Sequence, residues 1–176
     1  MTRRSRIRDA HRRDEQTRSW AVRAARTIVH CLCAGEVVPA TPYNIGLVPE
    51  PGEQLWIEVP ARLLNELPPV LVGQTIATPP PIRSWLCTST RLAGRIDDQL
   101  VAWRWTQFVG CRISLEPGSE AVALDSSDGT CLTWAGPGLA PLAVLAVWQL
   151  FGIDGLIGHP GLAFVRQPMV AERTPA

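Results

Sequence analysis

The chain is poor in the residues and motifs that most enzyme classes require. Its 176 residues include three histidines and one tyrosine, and all 17 of its basic residues are arginines. It has no G-x-S-x-G motif, no P-loop and no G-x-G-x-x-G fingerprint, which are the local signatures of hydrolase and nucleotide sites. We therefore predict a protein that is not an enzyme, with no catalytic residue and no cofactor.

A disulfide framework and a metal site are also not expected. The cysteines are odd in number and irregular in spacing: Cys31, Cys33, Cys87, Cys111 and Cys131. The basic start leads into more charge instead of a signal-peptide core, so we expect a cytoplasmic protein with reduced thiols. His30, Cys31 and Cys33 lack the second ligand pair that a structural zinc site uses, so we predict no bound metal.

The charge is divided unevenly along the chain. Residues 1–26 contain nine arginines and three acidic residues, a net charge of +6, whereas residues 27–176 carry −5. Guanidinium groups neutralise phosphates, which favours binding of nucleic acid. The same segment suits anionic lipid, docking on the protein's own acidic part, or a merely solvated extension. The candidate polyanion-binding residues are Arg3, Arg4, Arg6, Arg8, Arg12 and Arg13.

Residues 2–34 also lack glycine and proline, which predicts one helix ending before Gly35. The second half of this helix has an apolar stripe at spacings of three and four: Ala21, Ala25, Ile28 and Leu32. Such a stripe is typical of an amphipathic helix. The first half has no stripe. We predict a basic helical extension over 1–35, with Ile28 and Leu32 buried and the first arginines exposed.

A proline-rich region follows this helix. Residues 37–81 hold ten of the sixteen prolines, which predicts irregular chain and a linker over 36–52. Within the proline-rich region 37–81, residues 54–63 alternate apolar and polar, which indicates a half-buried strand with Pro60 at an edge or bulge. Residues 70–72 are a candidate for a further short strand.

Residues 82–134 have the pattern of an antiparallel meander. Short apolar or alternating segments recur at intervals of about 8–12 residues with turn-forming residues between them. The predicted strands are 83–87, 92–96, 100–105, 108–115, 121–125 and 130–134. The acidic pairs Asp97–Asp98 and Asp125/Asp128 fall at the predicted turns, so we interpret them as turn formers and not as paired catalytic carboxylates.

The longest apolar stretch is the segment 136–151. Pro141 suits an early helical turn and Gly152 suits a helix end, which predicts a helix over 139–151. Residues 141–151 span about 16 Å as a helix, against about 30 Å for a bilayer's hydrocarbon core. A core helix is therefore favoured over a membrane span. We expect residues 152–166 to lie over the core and residues 167–176 to form a disordered tail.

Seven tryptophans are the remaining unusual feature. Strand parity and the apolar helix predict that Trp103, Trp105 and Trp148 belong to the core. Trp56 falls on the face opposite Leu55, so we expect it to be exposed or covered by the N-terminal helix.

The sequence resembles the bacterial pleckstrin-homology-like (PH/GRAM-type) domain. The residues that carry the resemblance are G-E-Q-L-W-I-E-V-P-A-R-L at 52–63, W-L-C-T-S-T-R-L-A-G-R-I at 85–96, W-R-W-T-Q-F-V-G-C-R-I-S-L at 103–115 and the apolar helix. Small actinobacterial proteins of the same layout are also similar. The resemblance implies an α+β fold over 53–166, an antiparallel β-barrel or meander closed by a C-terminal helix.

Phosphoinositide binding does not carry over from this resemblance. Lipid-binding members keep a basic cluster around the first hairpin loops, where this chain has prolines and acidic residues. We predict a non-catalytic binding or scaffolding module for a protein partner. The alternatives are a nucleic-acid accessory protein that uses the arginine-rich segment and an adaptor for anionic membranes.

Overall fold

The protein begins with one long helix. The computed structural model describes residues 3–41, 45–64 and 80–166, and helix α1 spans Arg3–Ala34. Gly35 follows with φ 69°. The amide of Gly35 donates to the carbonyl of Leu32 and that of Glu36 to the carbonyl of Cys31, which is the Schellman arrangement for ending a helix. The predicted end of the helix is confirmed.

Seven antiparallel strands follow α1. They are β1 (Leu55–Leu63), β2 (Arg83–Thr88), β3 (Arg91–Ile96), β4 (Gln99–Arg104), β5 (Phe108–Ser114), β6 (Ala121–Ser126) and β7 (Cys131–Ala135). Each lies within one residue of its predicted bounds, so the predicted meander is confirmed. The predicted strand at 70–72 lies outside the described residues.

The strands form one sheet in the order β4-β3-β2-β1-β7-β6-β5. Closure of this sheet into a barrel was wrongly predicted, because β4 and β5 are its two ends and do not pair with each other. Trp105, predicted on β4, instead begins the 3₁₀ turn Trp105–Gln107. Its amide donates to Thr90 and its indole N–H to the carbonyl of Thr88. These bonds turn the chain away from the edge of β4 before it reaches β5.

Strict alternation in β1 is broken at Trp56. The pairing of β1 with β2 shifts register between Leu55 and Ile57, and such a bulge moves the preceding side chain to the other face. Ile57 therefore lies in the main core, whereas Leu55 packs on the opposite side of the sheet. Trp56 is buried, not exposed.

Tryptophans fill the inner side of the sheet. Trp85, Trp103 and Trp134 contact one another with ring centroids 5.6–6.0 Å apart. A Cβ atom on Gly94 would lie 2.4 Å from the indole of Trp85, so only glycine fits there. Of the tryptophans predicted in the core, Trp105 is buried, while Trp103 and Trp148 are half-buried.

Helix α2 (Ala140–Gly158) lies between the sheet and α1. Its first eight residues are buried, because the sheet covers one side and the stripe of α1 covers another. Gly152, the predicted helix end, has φ 63° and ψ −156°. The chain kinks sharply at this residue and then returns to helix up to Gly158. Among the described residues α2 is the one helix long and apolar enough to cross a membrane, and 50% of its most apolar window is buried in the protein.

After the kink the chain stays on the core. The second part of α2, the 3₁₀ turn Pro160–Leu162 and the short helix α3 (Ala163–Arg166) bury Leu156, Leu162 and Val165. The prediction that 152–166 covers the core is confirmed. The tail predicted at 167–176 lies outside the described residues.

The outer face of the sheet is covered in part by the segment predicted as a linker. Ile45 and Leu47 are buried against Leu86 and Ala93, and Arg95 Nε donates to the carbonyl of Ile45 at 2.9 Å. Ile45 and Leu47 are therefore packed against the sheet, so this part of the segment is more than a spacer.

A buried ion pair fixes the end of that segment. The carboxylate of Glu53 accepts from Arg91 Nη2 at 2.8 Å and from the hydroxyls of Thr88 and Thr90. Burial alone would raise the pKa of Glu53, but the hydrogen bonds from Arg91 and Thr88 outweigh it and lower this pKa to about 2. Glu53 is therefore a charged structural anchor for the hairpin of β2 and β3.

Candidate functional site

A mostly apolar cleft of about 510 Å³ lies between α1 and the C-terminal end of β5. Four parts of the chain form it: the middle of α1, the turn from β5 to β6, the start of α2 and the segment before α3. Its walls are Arg18, Val22, Ile113, Ser114, Leu115, Glu116, Pro117, Glu120, Pro137, Ala140, Pro160, Gly161 and Ala163. The volume lies within the range of small-molecule and peptide pockets.

Prolines and glycines shape the walls of this cleft. Gly118 has φ 88°, a left-handed value that the turn after Pro117 requires and that glycine adopts without strain. A Cβ on Gly161 would lie 2.8 Å from the Cβ of Ile113. The absence of a side chain at Gly161 therefore lets the 3₁₀ turn lie directly on β5 and close that side.

One ion pair lies in the cleft. The guanidinium of Arg18 donates from Nε to the carboxylate of Glu120. Glu120 also accepts from the amide of Gly118 at 2.9 Å, and its side chain is 7% exposed. The pair ties the middle of α1 to the sheet. The other polar side chains of the lining are Ser114 and Glu116.

The lining of the cleft is mostly apolar. It contains no cysteine and no histidine, and its one hydroxyl is that of Ser114. A mostly apolar surface with one partly buried ion pair can hold an apolar group by the hydrophobic effect and orient it through one or two hydrogen bonds.

The structure places the candidate arginines apart from this cleft. Arg8, Arg12 and Arg13 lie on the exposed first half of α1, and Arg13 Nε donates to the carbonyl of Asp9 at 3.2 Å. Arg3, Arg4 and Arg6 belong to the first turns of the same helix. Arg8 and Arg12 are four residues apart and therefore share a face. Their role in polyanion binding stays a prediction.

The cysteines are free thiols spread through the fold. Cys31 is buried and Cys33 is exposed, so the two do not face the same space. Burial raises the pKa of Cys87 far above its usual range, and burial together with Asp125 raises the pKa of Cys111 to about 11. In the described parts of the chain no three His, Cys, Asp or Glu residues come together as a metal site would require.

Asp97, Asp98 and Asp128 lie in turns, as predicted, whereas Asp125 lies within β6. Asp97 and Asp98 have φ 46° and 64° and form the two-residue turn between β3 and β4. Asp128 accepts from the hydroxyl and the amide of Thr130, bonds that lower the pKa of Asp128. Asp125 pairs with Arg112 at 2.9 Å. These contacts are those of turn and strand stabilisation.

The cleft was not predicted from the sequence. Three of its four contributing segments carry a local signal, a proline beside the end of an element, and the segment on α1 carries none. Nothing local indicates that residues 18, 116, 137 and 161 meet. No protein-family model matches the chain, and no curated protein is significantly similar to it. Function is therefore argued from the site itself.

Proposed function

We propose that this chain is a non-catalytic binding module that holds an apolar segment of a protein partner in the cleft between α1 and β5. The observation that carries the proposal is the composition of the cleft. The cleft has a volume of about 510 Å³ and a mostly apolar lining with one ion pair. Apolar segments gain most of their binding energy by leaving water, at about 25 cal/mol per Å².

A peptide segment fits this lining better than a highly charged ligand. Its apolar side chains match Val22, Ile113 and Leu115, and its backbone groups have partners in Ser114 and the Arg18–Glu120 pair. An anionic ligand would have to leave water for a mostly apolar wall, which is costly without an oppositely charged partner. Arg18 is already engaged by Glu120.

The PH-like arrangement and a cytoplasmic location belong to the same proposal. A seven-strand meander with β1 between β2 and β7, followed by a helix against the sheet, supports a PH-like layout. The acidic and proline-rich segment 45–53 lies over the outer face of β2 and β3, which argues for a partner other than phosphoinositides.

A cleft-filling variant tests the proposal. Random peptides displayed on phage are selected on the full chain, and the enriched peptides are then measured on Ala163→Trp and on Ala10→Trp. Ala163 lines the cleft, whereas Ala10 is exposed on α1. We expect peptides with two or more apolar residues, at least tenfold weaker binding to Ala163→Trp and unchanged binding to Ala10→Trp. Equal binding to both variants would refute the cleft as the site.

A second candidate function is nucleic-acid binding through the first half of α1. It is favoured by the exposure of Arg8, Arg12 and Arg13 on a helix segment in which residues 7–16 are all exposed. Each phosphate contact adds to a salt-dependent affinity. An anionic-membrane adaptor uses the same charges and is the third candidate.

Elution from immobilised single-stranded DNA measures this candidate. The triple change Arg8→Gln, Arg12→Gln, Arg13→Gln is expected to lower the eluting salt concentration markedly. The double change Arg104→Gln, Arg112→Gln alters two other exposed arginines and serves as the control. If both variants elute like the unchanged chain, the nucleic-acid function is wrong; retention on anionic vesicles but not on DNA would favour the membrane adaptor.

A further inference from the structure

The outer edge of β4 is exposed in the part of the chain that the structure describes. Among the described residues β3 pairs with one side of β4 and no strand pairs with the other. Leu100 is 44% exposed, and Ala102 and Arg104 are exposed as well. An edge of this kind presents backbone donors and acceptors to another strand.

The hairpin geometry shows which peptide groups point outward. A two-residue turn makes its flanking residues, Ile96 and Gln99, a hydrogen-bonded pair. Pairing then alternates, so that the peptide groups of Leu100, Ala102 and Arg104 face away from β3. The amide of Arg104 donates to Gln107 Oε1 at 2.7 Å. Leu100 and Ala102 therefore present the N–H and C=O groups left for a partner.

The other end of the sheet is different. The 3₁₀ turn at Gly161 lies on Ile113, where an added Cβ would come within 2.9 Å of the Ile113 carbonyl oxygen. That end of β5 is covered by the chain itself. The two sheet edges therefore differ at these positions: Ile113 of β5 is covered, whereas Leu100 and Ala102 of β4 are exposed.

We propose that β4 pairs with β4 of a second copy of this chain, antiparallel and about a two-fold axis that passes beside Val101. In this register Leu100 of each copy faces Ala102 of the other. Both facing pairs exchange two backbone hydrogen bonds, so all four bonds that Leu100 and Ala102 can make are formed. The result is a continuous sheet across the dimer.

The side chains are complementary in the same register. Arg104 of one copy lies opposite Asp98 of the other, and both are exposed. Glu50 accepts from Arg104 Nη2, which leaves Nη1 and Nε for Asp98 within the described surroundings. Val101 faces Val101 on the inner side, and Trp103 faces Gln99. Opposite charges and apolar pairs facing each other stabilise paired strands.

Registers shifted by two residues match less well. A two-fold axis beside Leu100 places Asp98 opposite Ala102 and therefore removes the ion pair between Asp98 and Arg104. An axis beside Ala102 requires the amide of Arg104, which already donates to Gln107. The self-complementarity of the Val101 register is the reason to assign the edge to a second copy and not to an unrelated peptide.

Cysteine cross-linking tests the axis directly. Val101 and its counterpart would form a non-hydrogen-bonded pair with Cα atoms about 4.5 Å apart, a separation that a disulfide tolerates. In a Cys33→Ser background, which removes the exposed native thiol, Val101→Cys is expected to give a disulfide-linked dimer under mild oxidation. Leu100→Cys faces Ala102 and is expected to remain largely monomeric. Equal cross-linking of both variants, or of neither, would overturn the proposal.

Light scattering coupled to gel filtration measures the association itself. We expect the unchanged chain to be dimeric at tens of micromolar, and Ala102→Pro to weaken the dimer at least tenfold because it removes an outward N–H that β3 does not use. Asp98→Asn keeps a residue that tolerates positive φ. This change is expected to weaken dimer association about two- to fivefold, as for the loss of an exposed ion pair. Asp97→Asn is the matched control without effect. A monomer at 100 micromolar, or a dimer insensitive to both Ala102→Pro and Asp98→Asn, would refute the pairing.

Discussion

The two halves of α1 have the same backbone conformation but opposite surroundings. Ala21, Ala25, Ile28 and Cys31 are buried in the core, whereas residues 7–16 are all exposed. The absence of glycine and proline permits a helix along the whole length. The apolar stripe alone decides which half packs against the protein, so helicity and docking are set by different features of the sequence.

Residue size explains how closely the second half docks. Ala21 and Ala25 are fully buried, and small side chains let two helices approach closely. Arg18, one turn before Ala21, marks the boundary through its ion pair with Glu120. N-terminal to this boundary no apolar stripe holds the helix to the body.

The largest contrast is expected from placing a charge on each half. Ala25→Asp buries a carboxylate without a partner, which costs on the order of 3–5 kcal/mol, whereas Ala10→Asp adds a solvated charge and changes stability by less than about 0.5 kcal/mol. Urea unfolding followed by circular dichroism measures both. Similar losses in the two variants would mean that the halves are not distinct.

Shortening the two isoleucines of α1 sharpens the same contrast with less disruption. Ile28 is 3% exposed and Ile7 is 61% exposed. Ile28→Ala should lower the free energy of unfolding by about 2–4 kcal/mol through the cavity it leaves, and Ile7→Ala by less than about 0.5 kcal/mol. Thermal unfolding of both variants at one protein concentration provides the comparison.

The boundary ion pair is expected to have a smaller effect. Glu120→Gln leaves Arg18 without its buried carboxylate and should cost about 1–3 kcal/mol. The matched change Glu15→Gln alters the exposed His11–Glu15 contact and should have almost no effect. If Glu120→Gln is as mild as Glu15→Gln, the ion pair does not fix the boundary.

The sequence predicts the elements of this fold well because their signals are local. Gly35 ends α1, Asp97 and Asp98 turn β3 into β4, and alternation marks each strand within one residue. The α+β class and the order of elements follow from these signals alone.

The features that were missed depend on contacts between distant residues. The bulge at Trp56 arises from pairing with β2, and Arg91 meets Glu53 across 38 positions. The sheet stays open at the 3₁₀ turn that begins at Trp105, whose indole N–H donates to the carbonyl of Thr88 on β2. The cleft needs four separate segments at once, so no single segment predicts it.

Hydrogen exchange along α1 tests the central claim most directly. An isolated half-helix without tertiary contacts is only marginally stable in water. We therefore predict that amides of residues 4–14 exchange within about a hundredfold of an unfolded chain, while those of residues 21–32 are protected as strongly as the first half of α2. Uniform protection along α1, or a second half that exchanges as fast as the first, would contradict the division of this helix into a core half and a solvated half.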